Sequence, residues 1–204
     1  MGASGKLGQQ LISEAIDDGY DVNALVRDPA KLRRGNELLQ VFRGDARTGE
    51  GVDAVVKGCP YVVSALGAST PVMAECMSKV IPLLKGKWLK RFVFISWMGV
   101  GDSQAQELMD RGLITSIKRV AHKKMFEDIG RAEGLIRESG LPYVILRPTL
   151  MTDGPLTGQV EGVSASDKPP GAISRADVAR YVVDLLDQPG WEKRELTLGR
   201  AAKR

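Results

Sequence analysis

Histidine is almost missing from this 204-residue chain, which carries one copy, His122, and cysteine occurs only as Cys59 and Cys76. A single histidine and two distant cysteines in no paired spacing supply no ligand set for a metal. They also exclude a disulfide framework and suit a reducing compartment, so both cysteines are expected as buried apolar side chains. Long apolar runs are lacking as well. Glu75 and Lys79 interrupt the longest candidate before it reaches the ~18 residues that a membrane span needs, and no apolar signal region opens the chain. Aromatic residues make up 5% of the sequence. None of them is interleaved with the basic run Lys118 to Lys124, which holds His122, so that run reads as a solvated helix face and not as a nucleic-acid platform. The net charge of +4 favours anionic ligands weakly and does not demand nucleic acid.

What is present is a 43% apolar, 26% charged composition of a packed domain. Short β-branched runs alternate with longer stretches of helical period, the pattern of a doubly wound α/β fold with a parallel sheet. Helical spacing covers Lys6 to Asp18 and stops at Gly19. Strands are expected at 21–27, 39–43, 61–65, 91–97, 143–146 and 195–198. Helices are expected at 52–57, 71–84, 116–139 and 174–186, with Ser174 and Asp177 forming a carboxylate variant of the capping box. Asp28-Pro29 opens a further helix, Asp28 as its cap. The stretch 148–171 is rich in Gly and Pro, has little period, and is long enough to be a substrate loop. No linker or repeat divides the chain, so residues 1–204 form one domain.

The most informative residues are the first. Gly2, Gly5 and Gly8 stand three apart directly before a helix, in Gly2-Ala3-Ser4-Gly5-Lys6-Leu7-Gly8. Such glycines permit a tight turn, close approach of backbone N–H groups to a pyrophosphate at a helix N-terminus, and close helix packing. The next strand ends about twenty residues on, where a dinucleotide fold reads the adenosine ribose, and there stands Arg27 followed by Asp28. A guanidinium pairs with the 2′-phosphate of NADP, whereas a carboxylate binds the ribose diol of NAD. NADP(H) is therefore expected over NAD(H). Asp28 has its own role as a helix cap, with the ribose as its alternative. Arg33, Arg34 and Arg47 read as solvated surface charges, with the phosphate pocket as their alternative.

Gly2 to Gly8, Ala24 to Pro29, Gly44-Asp45, Ile95-Ser96 with Gly99 to Ser103, Glu138 to Tyr143, Leu146-Arg147-Pro148 and Ile173 to Ala179 together resemble the atypical short-chain dehydrogenases. Within these the chain is similar to the NAD(P)H-binding NmrA-like and flavin/biliverdin-IXβ reductase-like proteins. Asp153 to Gly158 is similar to the substrate-side loop of the flavin/biliverdin reductases. The resemblance implies a cofactor site of Gly2, Ser4, Gly5, Lys6, Leu7, Gly8 and Arg27, with Asp45 and Ala46 against the adenine. Ala65, Leu66 and Gly67 would run along the cofactor, and Ser96 would donate a hydrogen bond near the nicotinamide. Ser96 and Ser103 are the candidate catalytic residues, and Thr149, Leu150, Asp153 and Gly154 the candidate substrate loop.

Two departures qualify the resemblance. The long helix has Met125 and Ile129 where typical short-chain dehydrogenases carry Tyr and Lys, so proton delivery to an alcohol or sugar carbonyl has no agent. The histidine that some flavin/biliverdin reductases place before the substrate loop is replaced by Thr149 and Leu150. An NADPH-dependent reductase of a planar conjugated small molecule, such as a flavin, quinone or tetrapyrrole, fits these residues. The alternative is a non-turnover NADP(H)-binding redox sensor or assembly factor with a protein partner. Only Met1 precedes Gly2, although a dinucleotide fold puts a central strand there. The expectation is that the chain begins internally, with a strand of about five or six residues upstream, and apart from any upstream targeting segment the location is expected to be cytoplasmic.

Overall fold

A computed structural model describes residues 1–32, 35–67, 70–98, 100, 116–164 and 170–201, with 116–122 described by backbone alone. Helix α1 (Lys6–Asp17) ends where Gly19 adopts φ +82°, and it is followed by β1 (Val22–Val26) and β2 (Leu39–Arg43). Then come α2 (Val52–Val55), β3 (Tyr61–Ser64), α3 (Met73–Leu84), β4 (Arg91–Ile95) and α4 (Ser116–Glu138). The chain closes with β5 (Tyr143–Pro148), β6 (Met151–Thr152), β7 (Val160–Val163), β8 (Ile173–Ser174), α5 (Arg175–Leu185) and β9 (Arg194–Arg200).

The sheet order is β3-β4-β5-β9-β7, parallel except for β7, and β1 pairs with β2 in parallel as a separate ribbon. Every residue of β4 and β5 is buried. Central parallel strands are covered on both faces, which is why these two read as continuous apolar runs without alternation. One core lies under α3 and α4 around Met77, Phe92, Phe94 and Ile136, and the other lies under α1 and α5 around Leu7, Val93, Leu146 and Val182. The fold is thus doubly wound, as its sequence pattern implies.

Three local expectations are corrected. The segment after Asp28 is one 3₁₀ turn, Pro29–Lys31, because the Asp28 carboxylate accepts from the Ala30 N–H at 3.0 Å but no apolar stripe follows to carry a longer helix. The stretch 148–171 is not wholly irregular, since it contains β6 and β7. Cys76 is buried, whereas Cys59 is only partly so; the Asn23 amide donates to its sulfur at 3.4 Å.

β1 and β3 are not hydrogen-bonded to each other, and they face one another across a slot of about 570 Å³ roofed by Leu11 and Val182. Met1 occupies its upper end in strand-like fashion. The Met1 amino group donates to the Val63 carbonyl at 2.8 Å, and the Ala65 N–H donates to the Met1 carbonyl at 3.0 Å. Burial pushes that amine down to about 6. At the other end, the Tyr20 and Tyr61 hydroxyls both donate to Asp187, and burial, followed by that carboxylate, pushes the Tyr20 hydroxyl up to about 12. The slot's walls are strand edges, so its shape fits one extended segment parallel to both neighbours. Joining a five-residue apolar β-forming segment ahead of Met1 is expected to raise the thermal midpoint by roughly 5 °C or more, read by circular dichroism. An unchanged midpoint would contradict this account of the slot.

Candidate functional site

The glycine turn is held by backbone crowding. Gly2 has φ +78°, and a Cβ on it would lie 2.3 Å from the Ala65 carbonyl oxygen at the end of β3. A Cβ on Gly8 would lie 2.2 Å from the Gly2 oxygen and 2.8 Å from the Ala3 Cα. Both positions therefore require glycine on packing grounds alone. Gly5 is the N-cap of α1 and has no side chain to cap it; no acidic residue follows in the first turn. The Gly5 N–H donates to the Gly2 carbonyl at 3.0 Å. The succeeding amides of α1 present the positive end of a twelve-residue helix whose first turn holds no acidic residue and no side-chain cap. That donor set matches a diphosphate.

The turn opens into a cavity of about 410 Å³ at the C-terminal ends of β3 and β4. Of the expected residues, it brings together Gly5, Lys6, Leu7, Ala65, Leu66, Gly67, Ser96 and Leu150. Met73, Phe94, Ile95, Trp97, Ile129, Met151 and Arg175 complete its wall. Among these, Ile129 stands in the register where a lysine would serve a typical short-chain dehydrogenase, while Met125 packs against the core. The wall is mostly apolar, and Leu150, Trp97 and the more distant Leu156 are exposed around it.

Other expected residues lie elsewhere. Arg27 is exposed one position beyond Val26, which packs in one cluster with Ala3 of the turn, and the guanidinium has no partner among the described residues. Arg47 is engaged with Glu75 at 2.7 Å. The Asp45 carboxylate accepts from the Arg47 N–H at 2.9 Å and so shapes its own turn, and Ala46 is a core residue. Thr149 is buried and donates to the Gly171 carbonyl at 2.8 Å, which makes it an anchor of the loop and leaves Leu150 as the residue facing the cavity. Ser4 is exposed, its carbonyl accepting from the Gln9 amide. Ser103 and the side chain of His122 lie outside the described residues. No cluster among the described residues could hold a metal ion.

Two arrangements were not read from the sequence. Asp153 and Gly154 sit outside the cavity, but the Asp153 carboxylate ties the loop to its rim by pairing with Lys6 at 2.6 Å and with Arg175. Lys6 first, then Arg175, holds that carboxyl below its usual range. Beneath the cavity, Glu133 is wholly buried. It receives the Ser96 hydroxyl at 2.6 Å, Arg147 through Nε at 2.9 Å and Nη2 at 2.7 Å, and Arg137 at 2.8 Å. Arg147 and Arg137 also bind Glu195, so two guanidinium groups meet two carboxylates. A signal existed in the sequence: Glu133 falls in the apolar stripe Ile129, Ala132, Ile136, and Arg147 interrupts an apolar strand. Each needs an opposite charge to be buried there.

Asp177 latches the loop that carries Asp153 to Gly158. As expected, Ser174 caps α5, its hydroxyl accepting from the Asp177 N–H at 2.9 Å. The Asp177 carboxylate then receives the Thr157 N–H at 2.7 Å, the Gly158 N–H at 2.8 Å, and the Thr157 and Ser174 hydroxyls, each at 2.8 Å. Burial works to raise its pKa, but the hydrogen bonds from Thr157, Ser174 and Gly158 outweigh burial and leave it below the ordinary 3.8. A carboxyl depressed in the folded state stabilises it above about pH 4, and that contribution is lost as pH falls through the lowered value. Asp177→Asn turns an amide donor toward donors, and is expected to cost roughly 1 to 3 kcal/mol, lowering the thermal midpoint by about 2 to 10 °C at pH 7. The wild-type advantage should shrink below pH 4; equal midpoints at pH 7 would show that the latch carries no energy.

Comparisons with known proteins agree with this geometry. The model of a family described as NAD(P)H-binding matches residues 2–189. A Bacillus subtilis (strain 168) protein named "uncharacterized sugar epimerase YhfK" is 28% identical, over 97% of this chain and 91% of its own length. The photosystem II assembly factor Ycf39 of Guillardia theta is 27% identical over 97% of this chain, which spans 63% of that protein. Among solved structures, ChuY of Escherichia coli O157:H7, described as an anaerobillin reductase, superposes with a TM-score of 0.81 at 22% identity, covering 100% of this chain and 96% of ChuY. With a glycine turn aimed from an uncapped helix into a cavity at the strand ends, and a family model matched over nearly its whole length, the chain belongs to the NAD(P)H-binding family and has a Rossmann-like fold.

Proposed function

We propose that the protein is an NADPH-dependent reductase that transfers hydride to a planar conjugated small molecule such as a flavin, quinone or tetrapyrrole. The observation that carries this reading is a single cavity in which the free amides of the glycine turn meet apolar walls from Trp97, Ile129 and Leu150. NADPH bound along the turn would supply the hydride. The chain's own part is to hold the diphosphate at the Lys6 and Leu7 amides, with Gly5 leaving room for its approach, to support the nicotinamide with Ala65 to Gly67, and to exclude water with Leu150 and Trp97. The described wall carries Lys6 and Arg175 as its charged groups and no carboxyl, tyrosine or histidine. An acceptor that delocalises the arriving electron pair and takes its proton from solvent needs none of these. The reductase description of ChuY supports the same class of acceptor.

Arg27, exposed and without a partner among the described residues, is the residue proposed to bind the 2′-phosphate. Arg27→Ala is expected to weaken NADPH by ~1.5 to 3 kcal/mol in a fluorescence titration, with NADH nearly unchanged. Equal weakening of both nucleotides would refute the role.

A second reading, favoured by the likeness to Ycf39, is an NADP(H)-binding sensor or assembly factor without turnover. Oxidation of NADPH, followed at its absorbance band with flavins, quinones and tetrapyrroles in turn, separates the two. Turnover with at least one acceptor is the expected outcome; tight NADPH binding with none oxidised would favour the sensor.

A further inference from the structure

Ser96 lines the cavity, and its single proton is already committed. The hydroxyl donates to Glu133 Oε1 at 2.6 Å. That carboxylate has nothing to offer in return, because Oε1 also receives Arg147 Nε, and Oε2 receives the Nη2 groups of Arg147 and Arg137 at 2.7 and 2.8 Å. Four donors fill the four lone-pair positions of a carboxylate that is wholly buried, so it has no free orientation to turn toward. Glu195 balances the second guanidinium and keeps both arginines in place. The serine hydroxyl therefore meets the cavity with its lone pairs only.

We infer that Glu133 is a positioning residue that makes Ser96 a hydrogen-bond acceptor, and that the cofactor group it selects is the N–H of the nicotinamide carboxamide. This rests on the nicotinamide-binding reading above and reverses the donor role expected for Ser96 from sequence. It also removes Ser96 as a proton source for an acceptor, in keeping with an acceptor that takes its proton from solvent. A serine free to rotate would serve a carbonyl or an amide alike, whereas this one distinguishes them.

The test compares NADP⁺ with its 3-acetylpyridine analogue, in which a methyl group replaces the carboxamide nitrogen while the carbonyl stays. In calorimetric titrations the wild-type protein is expected to prefer NADP⁺ by about five- to tenfold, one neutral hydrogen bond's worth. In Ser96→Ala that preference should fall to about one, while the Arg147 and Arg137 contacts to Glu133 remain. In Glu133→Gln, which can donate to Ser96 and let its proton turn inward, the preference should also shrink although the dinucleotide still binds. A merely structural role for Glu133 would lower both affinities together and leave their ratio alone. Should Glu133→Gln fail to fold, Ser96→Ala decides the matter by itself. Equal wild-type affinity for the two dinucleotides, or an undiminished preference in Ser96→Ala, overturns the inference while leaving the nucleotide-binding reading standing. Failure of both dinucleotides to bind removes that reading and this inference with it.

Discussion

The backbone of Gly2 and Gly8 comes closer to its surroundings than any side chain allows, and the rest of the site is arranged by that contact. Gly2 presses on the Ala65 carbonyl at the end of β3, and Gly8 on the turn itself, so α1 must start at the edge of the sheet with its first amides facing outward. The turn sits where the chain's crossovers change direction, with β1 and β2 on one side of the slot and β3 to β5 on the other. Open α/β sheets bind ligands at such switch points, because the loops on either side diverge and leave a crevice. The 410 Å³ cavity is that crevice.

Two sets of buried charge then fix what the crevice presents. The Glu133, Arg147, Arg137 and Glu195 group lies beneath it, and the Asp177 latch lies beside it. Each places one carboxylate, Glu133 or Asp177, out of water, a costly arrangement unless every lone pair is used, and in both the donors are present. The first sets the orientation of the Ser96 hydroxyl. The second holds Thr157 and Gly158 to the start of α5, so that the loop carrying Asp153 stays within reach of Lys6 and Arg175. Hydrophobic packing builds the layers; these polar contacts decide the direction of individual groups at the mouth.

Much of this was legible in the sequence because burial on both faces leaves a plain trace. β4 and β5 are unbroken apolar runs, α1 ends at the one residue type that takes φ +82° without cost, and the glycine spacing marked the turn. β7 left no such trace. Val160-Glu161-Gly162-Val163 is a half-exposed edge strand, and a Cβ on Gly162 would lie 3.1 Å from the side-chain ends of Leu196 and Tyr181, neither of them near in sequence. The Ser174 and Asp177 pair was readable as a helix cap, but its hold on Thr157 depends on a loop brought from twenty residues upstream. Thr149 looked like a substrate contact and is a loop anchor, since a hydroxyl's partner is set by tertiary neighbours and not by the motif around it. Glu133 and Arg147 were visible as charges in apolar segments, but their meeting with Ser96 needed three elements in register.

On the proposed reading, the uncapped start of α1 receives the dinucleotide's diphosphate. Backbone amide shifts of ¹⁵N-labelled protein, followed as NADP⁺ is added, report on that contact directly. The largest changes are expected on the Lys6 and Leu7 amides, with smaller ones along Ala65 to Gly67. Saturable binding that leaves the first turn of α1 unmoved would contradict it.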